Sequence, residues 1–199
     1  MPLFFEHRGE HYHLMVWHIV EPEHFFEQSL GFGSDKKHPK RRLEHLSGRF
    51  LLQQLQPTFP FEKMVVSALG KPELSDDSCH FSISHSYPYA AAIMSKDKSV
   101  GIDIQMYVPK IERLQTKFLT AEEQLLTANK IENITLAWAA KEALFKYYGL
   151  GSVDFKADMP IEKIEWEQNK ARISMQLSKT REACKLHGWV AAQFAMAWL

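Results

Sequence analysis

The chain has very little cysteine, with Cys79 and Cys184 the only two among 199 residues. Two thiols exclude a disulfide framework and a cysteine-built zinc site, and they suit a reducing compartment. Neither sign of charge is in excess, because 24 lysines and arginines balance 24 aspartates and glutamates. A chain-wide grip on nucleic acid or on an anionic membrane is therefore not expected, and any anionic ligand would need a local cluster. Long apolar runs are missing as well. The longest, Trp189–Leu199, is about half of what a bilayer span needs. The opening MPLFFEHRGEHYH has neither the basic segment nor the apolar stretch of a secretory signal. No repeat or low-complexity tract stands out. These absences lead to the expectation of a cytoplasmic protein with no membrane or nucleic-acid partner.

Core-forming residues are plentiful. Five Trp, six Tyr and thirteen Phe sit in a chain that is 45% apolar, which is ordinary globular composition. The length suits one domain or two small ones. His11–Val20 reads as an early strand, and Pro22 suits the first turn of a short helix. Pro39 opens a helix reaching to about Leu55, and Gln56-Pro57 ends it. Leu69-Gly70-Lys71-Pro72 and Asp76-Asp77-Ser78 read as turns. Phe81–Ser84, Tyr89–Met94 and Ser99–Ile104 are short strands expected to form hairpins. After Gln105 the pattern predicts a helix over Lys110–Phe118 and a capping box at Thr120–Glu123. A long helix over Asn133–Tyr148 follows, ended by Gly149, and then strands near Ile161–Trp166, Ala171–Leu177 and Trp189–Leu199. Each half runs helices and then antiparallel strands, an α+β pattern divided near residue 105. The expected domains are 1–105 and 106–199.

Three segments carry chemistry. In Val100-Gly101-Ile102-Asp103-Ile104-Gln105, strand alternation sends Asp103 and Gln105 to one face and Ile102 and Ile104 to the other. A carboxylate and an amide one strand repeat apart form a half-site for magnesium, which prefers oxygen ligands, or simply a polar strand end in solvent. On the long helix, Ile134, Ala137, Trp138, Leu144, Phe145 and Tyr148 share a broad apolar face. Lys141 interrupts that face, and Glu142 and Lys146 lie one turn apart along its edge. This is either a polar pocket against the next element, or a snorkelling lysine beside a surface ion pair. In Phe81-Ser82-Ile83-Ser84-His85-Ser86, hydroxyls, a histidine and open amides at a strand end can hold a phosphate, although by itself the segment reads first as one with a satisfied turn histidine.

Together, FSISHS (81–86), VGIDIQ (100–105) and WAAKEALFKYYG (138–149), with Gly70-Lys71-Pro72 upstream, resemble the 4′-phosphopantetheinyl transferases, specifically their larger two-half class. The resemblance implies two similar α+β halves packed as a pseudo-dimer in a chain that need not oligomerise. It implies an enzyme that moves 4′-phosphopantetheine from coenzyme A to a serine of an apo acyl or peptidyl carrier protein and releases 3′,5′-ADP. By resemblance, Asp103 and Glu142 would hold magnesium and Lys146 would lie on the pyrophosphate. Glu142 would also accept the serine proton. Lys71, Ser84 and His85 match positions that hold the nucleotide of coenzyme A, with His45 as a further candidate for its 3′-phosphate. Nucleotide contacts would thus come from the first half, and the catalytic helix and metal residues mainly from the second. Lys141 matches a family position and would either touch substrate or shape the pocket. The basic run at 36–42 would attract coenzyme A or an acidic carrier, or be a solvated loop.

Gln105 departs from the family, since many relatives place a third carboxylate there. Glutamine offers a neutral oxygen, so a weaker metal site is expected, and direct ligation by residue 105 is open. A non-catalytic coenzyme A or carrier-protein binding module is the alternative function, and an unrelated magnesium-dependent phosphohydrolase is a third. His11 and His13 read as ordinary strand histidines, with no third zinc ligand nearby.

Overall fold

A computed structural model of the chain describes residues 2–67 and 70–199. The turn expected at Leu69-Gly70-Lys71-Pro72 therefore falls partly outside the described residues, at Leu69. The chain forms two compact units, Met1–Val100 and Gly101–Leu199. The strand carrying Asp103 and Gln105 thus lies whole in the second unit.

In the first unit, β1 (Leu3–Arg8), β2 (His13–His18), β5 (His80–Ser86) and β6 (Tyr89–Ser95) form one antiparallel sheet in the order β1-β2-β6-β5. Helix α2 (Pro39–Leu55) covers one face, and α1 (Glu23–Leu30) packs against α2. Pro39 takes the first helical position, and the His38 side chain accepts the Lys40 amide, so this helix starts where the sequence predicts. The core between α2 and the sheet is aromatic, with Phe50 meeting Trp17 at 4.9 Å and Phe26 at 5.5 Å between ring centroids. A separate hairpin, β3 (Met64–Val66) and β4 (Pro72–Leu74), carries Gly70-Lys71 at its turn.

In the second unit, β7 (Ile102–Met106), β8 (Ile161–Glu167), β9 (Lys170–Leu177), β10 (Glu182–Val190) and β11 (Phe194–Trp198) form a sheet ordered β7-β11-β10-β9-β8, antiparallel throughout. The helices are α3 (Lys110–Phe118), α4 (Ala121–Leu126) and α5 (Ile131–Tyr148). Thr120 and Glu123 complete the capping box of α4. Gly149 ends α5 with φ 71°, a left-handed conformation that costs glycine little. Helix α5 packs on β7, β10 and β11 through small residues, Ala139, Ala140 and Ala143 on the helix and Ala195 and Ala197 on β11.

Both units repeat one connection. A strand (β2 or β7) leads through helices to a hairpin (β5–β6 or β10–β11), and the last strand of the hairpin pairs antiparallel with the opening strand. This is a mixed α+β architecture of antiparallel sheets and helices, as expected.

Several elements differ from the sequence reading. The early strand expected at His11–Val20 is β2, but β1 before it escaped notice because four of its six residues are exposed, and the second unit opens with strand β7, not with helix. The strand expected over Ser99–Ile104 starts at Ile102 and pairs with the distant β11, so it makes no hairpin with β6. Trp189–Leu199 is not one strand. Trp189 and Val190 end β10, whose earlier residues Glu182, Lys185 and His187 hid it behind polar character, and β11 begins at Phe194. The face of α5 is broader than a stripe, with Leu136, Ala139, Ala140 and Ala143 buried too.

Candidate functional site

In the second unit, the pairing of β7 with β11 fixes where the carboxylates point. Asp103 lies opposite Ala197 and Gln105 opposite Ala195, both alanines of the core beneath α5, while Ile102 and Ile104 occupy the other face. Asp103 is buried at 7% exposure. One turn apart on α5, Glu142 and Lys146 meet this strand. Lys146 Nζ donates to Asp103 Oδ1 at 2.7 Å and to the Ile102 carbonyl at 3.0 Å. Burial pushes Glu142 up to about 7, the nearby Asp103 charge adds to that rise, and Lys146 opposes it. Glu142, whose charge burial and the Asp103 carboxylate both oppose, lies where a further cation would be stabilised. Gln105 donates through Nε2 to the Met106 carbonyl at 3.2 Å. Among the described residues no group of three or more His, Cys, Asp or Glu could hold a metal ion. Asp103, Glu142 and Gln105 would offer two carboxylates and an amide oxygen, hard donors of the kind magnesium accepts when water completes its shell.

Lys141 does not snorkel, and it points away from Asp103. Its ammonium is fully buried and donates to Glu123 Oε1 at 2.6 Å and to the Phe155 carbonyl at 2.7 Å. Glu123 Oε1 also accepts the Ile161 amide, and Oε2 accepts the Thr120 amide of the capping box. One carboxylate therefore ties α4, α5 and β8 together. Sequence reasoning noticed the capping box and missed this second duty, because a contact with Lys141 eighteen residues away has no local signature.

In the first unit, His85 of β5 faces α2. Its Nδ1 lies 3.5 Å from Glu44 Oε2, the same oxygen that Arg41 Nη1 reaches at 3.2 Å. Glu44 is buried at 4% exposure, a polar residue the sequence reading missed. Next to it, His45 is held down to about 4, first by burial and then by the charges of Arg49 and Lys36. Its Nδ1 is buried and has no hydrogen-bond partner among the described residues. His45 and His85 are close enough for their charges to interact. Ser84, by strand alternation, points to the opposite face of the sheet from His85. Lys71 stands at the β3–β4 turn, where its amide donates to Ser67 Oγ at 3.2 Å. The basic run is partly committed: Arg42 pairs with Glu23 at 2.6 Å and donates to the Lys36 and Lys37 carbonyls, and Lys40 lies over the Tyr87 ring. His13 pairs with Glu6 at 2.7 Å and His11 lies before the strand, so no zinc pair forms there.

Residues 99–198, which include Asp103, Glu142 and Lys146, match the family model of the 4′-phosphopantetheinyl transferase superfamily. The chain belongs to that superfamily. A Synechocystis sp. protein named "Putative 4′-phosphopantetheinyl transferase" is 34% identical over 111 residues, covering 51% of this chain and 42% of that protein. The matched stretch is thus less than half of the relative's length. The mixed antiparallel fold agrees with the superfamily assignment. Among the described residues no helix is long and apolar enough to cross a membrane.

Proposed function

We propose that the protein transfers 4′-phosphopantetheine from coenzyme A to a serine hydroxyl of an apo acyl or peptidyl carrier protein. The observation that carries this reading is the convergence of Asp103, Glu142 and Lys146 between β7 and α5, inside the family-matched region. In the reaction the serine oxygen forms a bond to the phosphorus that carries pantetheine, the pyrophosphate P–O bond breaks, and 3′,5′-ADP leaves. Glu142, at about 7, is poised to take the serine proton near neutral pH. Lys146 can turn from Asp103 toward the pyrophosphate and meet the charge that grows on the leaving phosphate. Asp103 and Glu142, with Gln105 as a possible third oxygen, would hold magnesium, whose charge would further neutralise the phosphates.

Lys71, Ser84, His85 and His45 form the proposed nucleotide-binding set of the first unit, with His85 and His45 assigned to the 3′-phosphate. The proposal extends to the larger, two-half class. It is supported by the repeated connection in both units and by a second apolar sheet face in each, Leu14, Val16 and Ile93 in one and Ile102, Ile104 and Met196 in the other. A chain that carries both halves needs no second copy on this reading, so a monomer is expected. Two free, buried cysteines suit a cytoplasmic setting.

The test is incubation with coenzyme A, magnesium and an apo carrier protein, followed by weighing the carrier. A phosphopantetheine mass gain, lost in Asp103→Ala and Glu142→Ala variants that remain folded, supports the reading. Coenzyme A binding without a gain would favour the binding module. Breakdown of coenzyme A without a gain would favour a phosphohydrolase.

A further inference from the structure

Gly101 lies two residues before Asp103 and is buried where β7 begins. It is not among the glycines with positive φ, so its backbone is open to any residue. What restricts it is the helix. A Cβ built at Gly101 would run into the backbone carbonyl oxygen of Ala143 and would stand 2.9 Å from the Tyr147 amide nitrogen and 3.0 Å from the Ala143 carbonyl carbon. Those are backbone atoms of α5 and cannot swing aside as a side chain can. Gly101 cannot retreat either, because its N–H and C=O both pair with Leu199, each at 3.1 Å. Any side chain here must therefore push α5 away from β7. Ala143 directly follows Glu142, so the displaced turn is the one carrying the carboxylate. On its other side α5 is anchored by the buried Lys141 to Glu123 and Phe155.

We infer that Gly101 is a positioning residue: its missing side chain sets the β7–α5 separation at which Asp103 and Glu142 can share one cation. The inference rests on the metal role proposed above for these two carboxylates. It gives the glycine a reason that neither turn geometry nor backbone freedom supplies.

The experiment measures Mn2+ binding to the full chain with coenzyme A present, by the paramagnetic resonance signal of the free ion. Gly101→Ala should weaken binding about tenfold or more, on the scale seen when groups supporting a metal ligand are removed. Its affinity for coenzyme A, read by calorimetry without metal, should fall far less than its affinity for Mn2+, since Lys146 is the one proposed coenzyme A contact on the displaced segment. Gly188→Ala is the control. A Cβ there meets the side chains of Leu136, Ala171 and Ile173 at 3.0–3.2 Å, so it strains the same core away from the carboxylates. It should lower the melting temperature without altering Mn2+ affinity. If Gly101→Ala does not fold, Ala197→Val carries the test, because it wedges the same helix from the strand position opposite Asp103.

Wild-type Mn2+ affinity in a folded Gly101→Ala, or in Ala197→Val where that variant carries the test, would overturn the positioning role. So would an equal loss in Gly188→Ala. Failure of the wild-type protein itself to bind Mn2+, or binding undiminished in Asp103→Ala, would instead overturn the metal reading on which the inference rests.

Discussion

Lys146 Nζ sits 2.7 Å from Asp103 Oδ1 while its own helix carries Glu142 one turn earlier. One ammonium therefore serves two carboxylates, pairing directly with the first and lowering the cost of charge on the second. Any cation that joins Asp103 and Glu142 takes over part of this duty. On the proposed reading Lys146 would then be freed toward a phosphate, and the lysine and the metal would serve as alternates on the same acid.

Glu142 makes stability depend on pH in a defined direction. Its carboxyl titrates at about 7 in the folded chain against 4.5 when unfolded. The folded state keeps the proton longer, so stability falls as pH rises from 4.5 to 7, by up to about 3 kcal/mol. His45 runs the other way. With its folded value near 4 against 6.5, its contribution is complete above pH 6.5 and is lost as pH falls toward 4. Urea unfolding across pH 4–8 should show Glu142→Gln gaining stability at pH 8, and His45→Leu losing less on acidification than the wild type. A Glu142→Gln variant no more stable than wild type at pH 8 would contradict the assigned cause.

Lys141→Met should destabilise the second unit by about 3–5 kcal/mol, because it leaves the Glu123 carboxylate buried without its partner. Adding Glu123→Gln should recover part of the loss, since glutamine can still serve the capping box at Thr120. Circular dichroism in denaturant separates the two variants. Recovery that fails to appear would mean that packing, and not the uncompensated charge, is what the lysine supplies.

His85→Ala should raise KM for coenzyme A about tenfold or more, the scale of a lost charge-assisted hydrogen bond, while sparing kcat. Dephospho-coenzyme A, which lacks the 3′-phosphate, is the comparison substrate, and with it the penalty should nearly vanish. An equal penalty on both substrates would assign His85 to holding Glu44 instead.

Gln105→Glu places a third carboxylate on the face that carries Asp103. A hard dication binds carboxylate better than amide oxygen, so the half-saturating magnesium concentration should fall several-fold. Turnover at saturating metal can move either way, because the added charge also opposes the phosphates. A magnesium titration identical to wild type in a folded variant would remove residue 105 from the ion's surroundings.

Local chemistry in the sequence determined much of this protein. Pro39, the Thr120–Glu123 box and the left-handed Gly149 set helix ends through short-range hydrogen bonds, which neighbouring residues suffice to specify. Alternation in Gly101–Gln105 likewise put Asp103 and Gln105 on one face before any partner strand was known. Only the tertiary structure decided which partners those faces met. The pairing of β7 with β11, some 90 residues later, has no local signal, because backbone hydrogen bonding does not depend on which side chains flank it. The same holds for Lys141 on Glu123, Glu44 between Arg41 and His85, and Gly101 against Ala143. In each case a polar group or a missing side chain is explained by an element distant in sequence, since burial and close approach belong to packing and not to the segment itself.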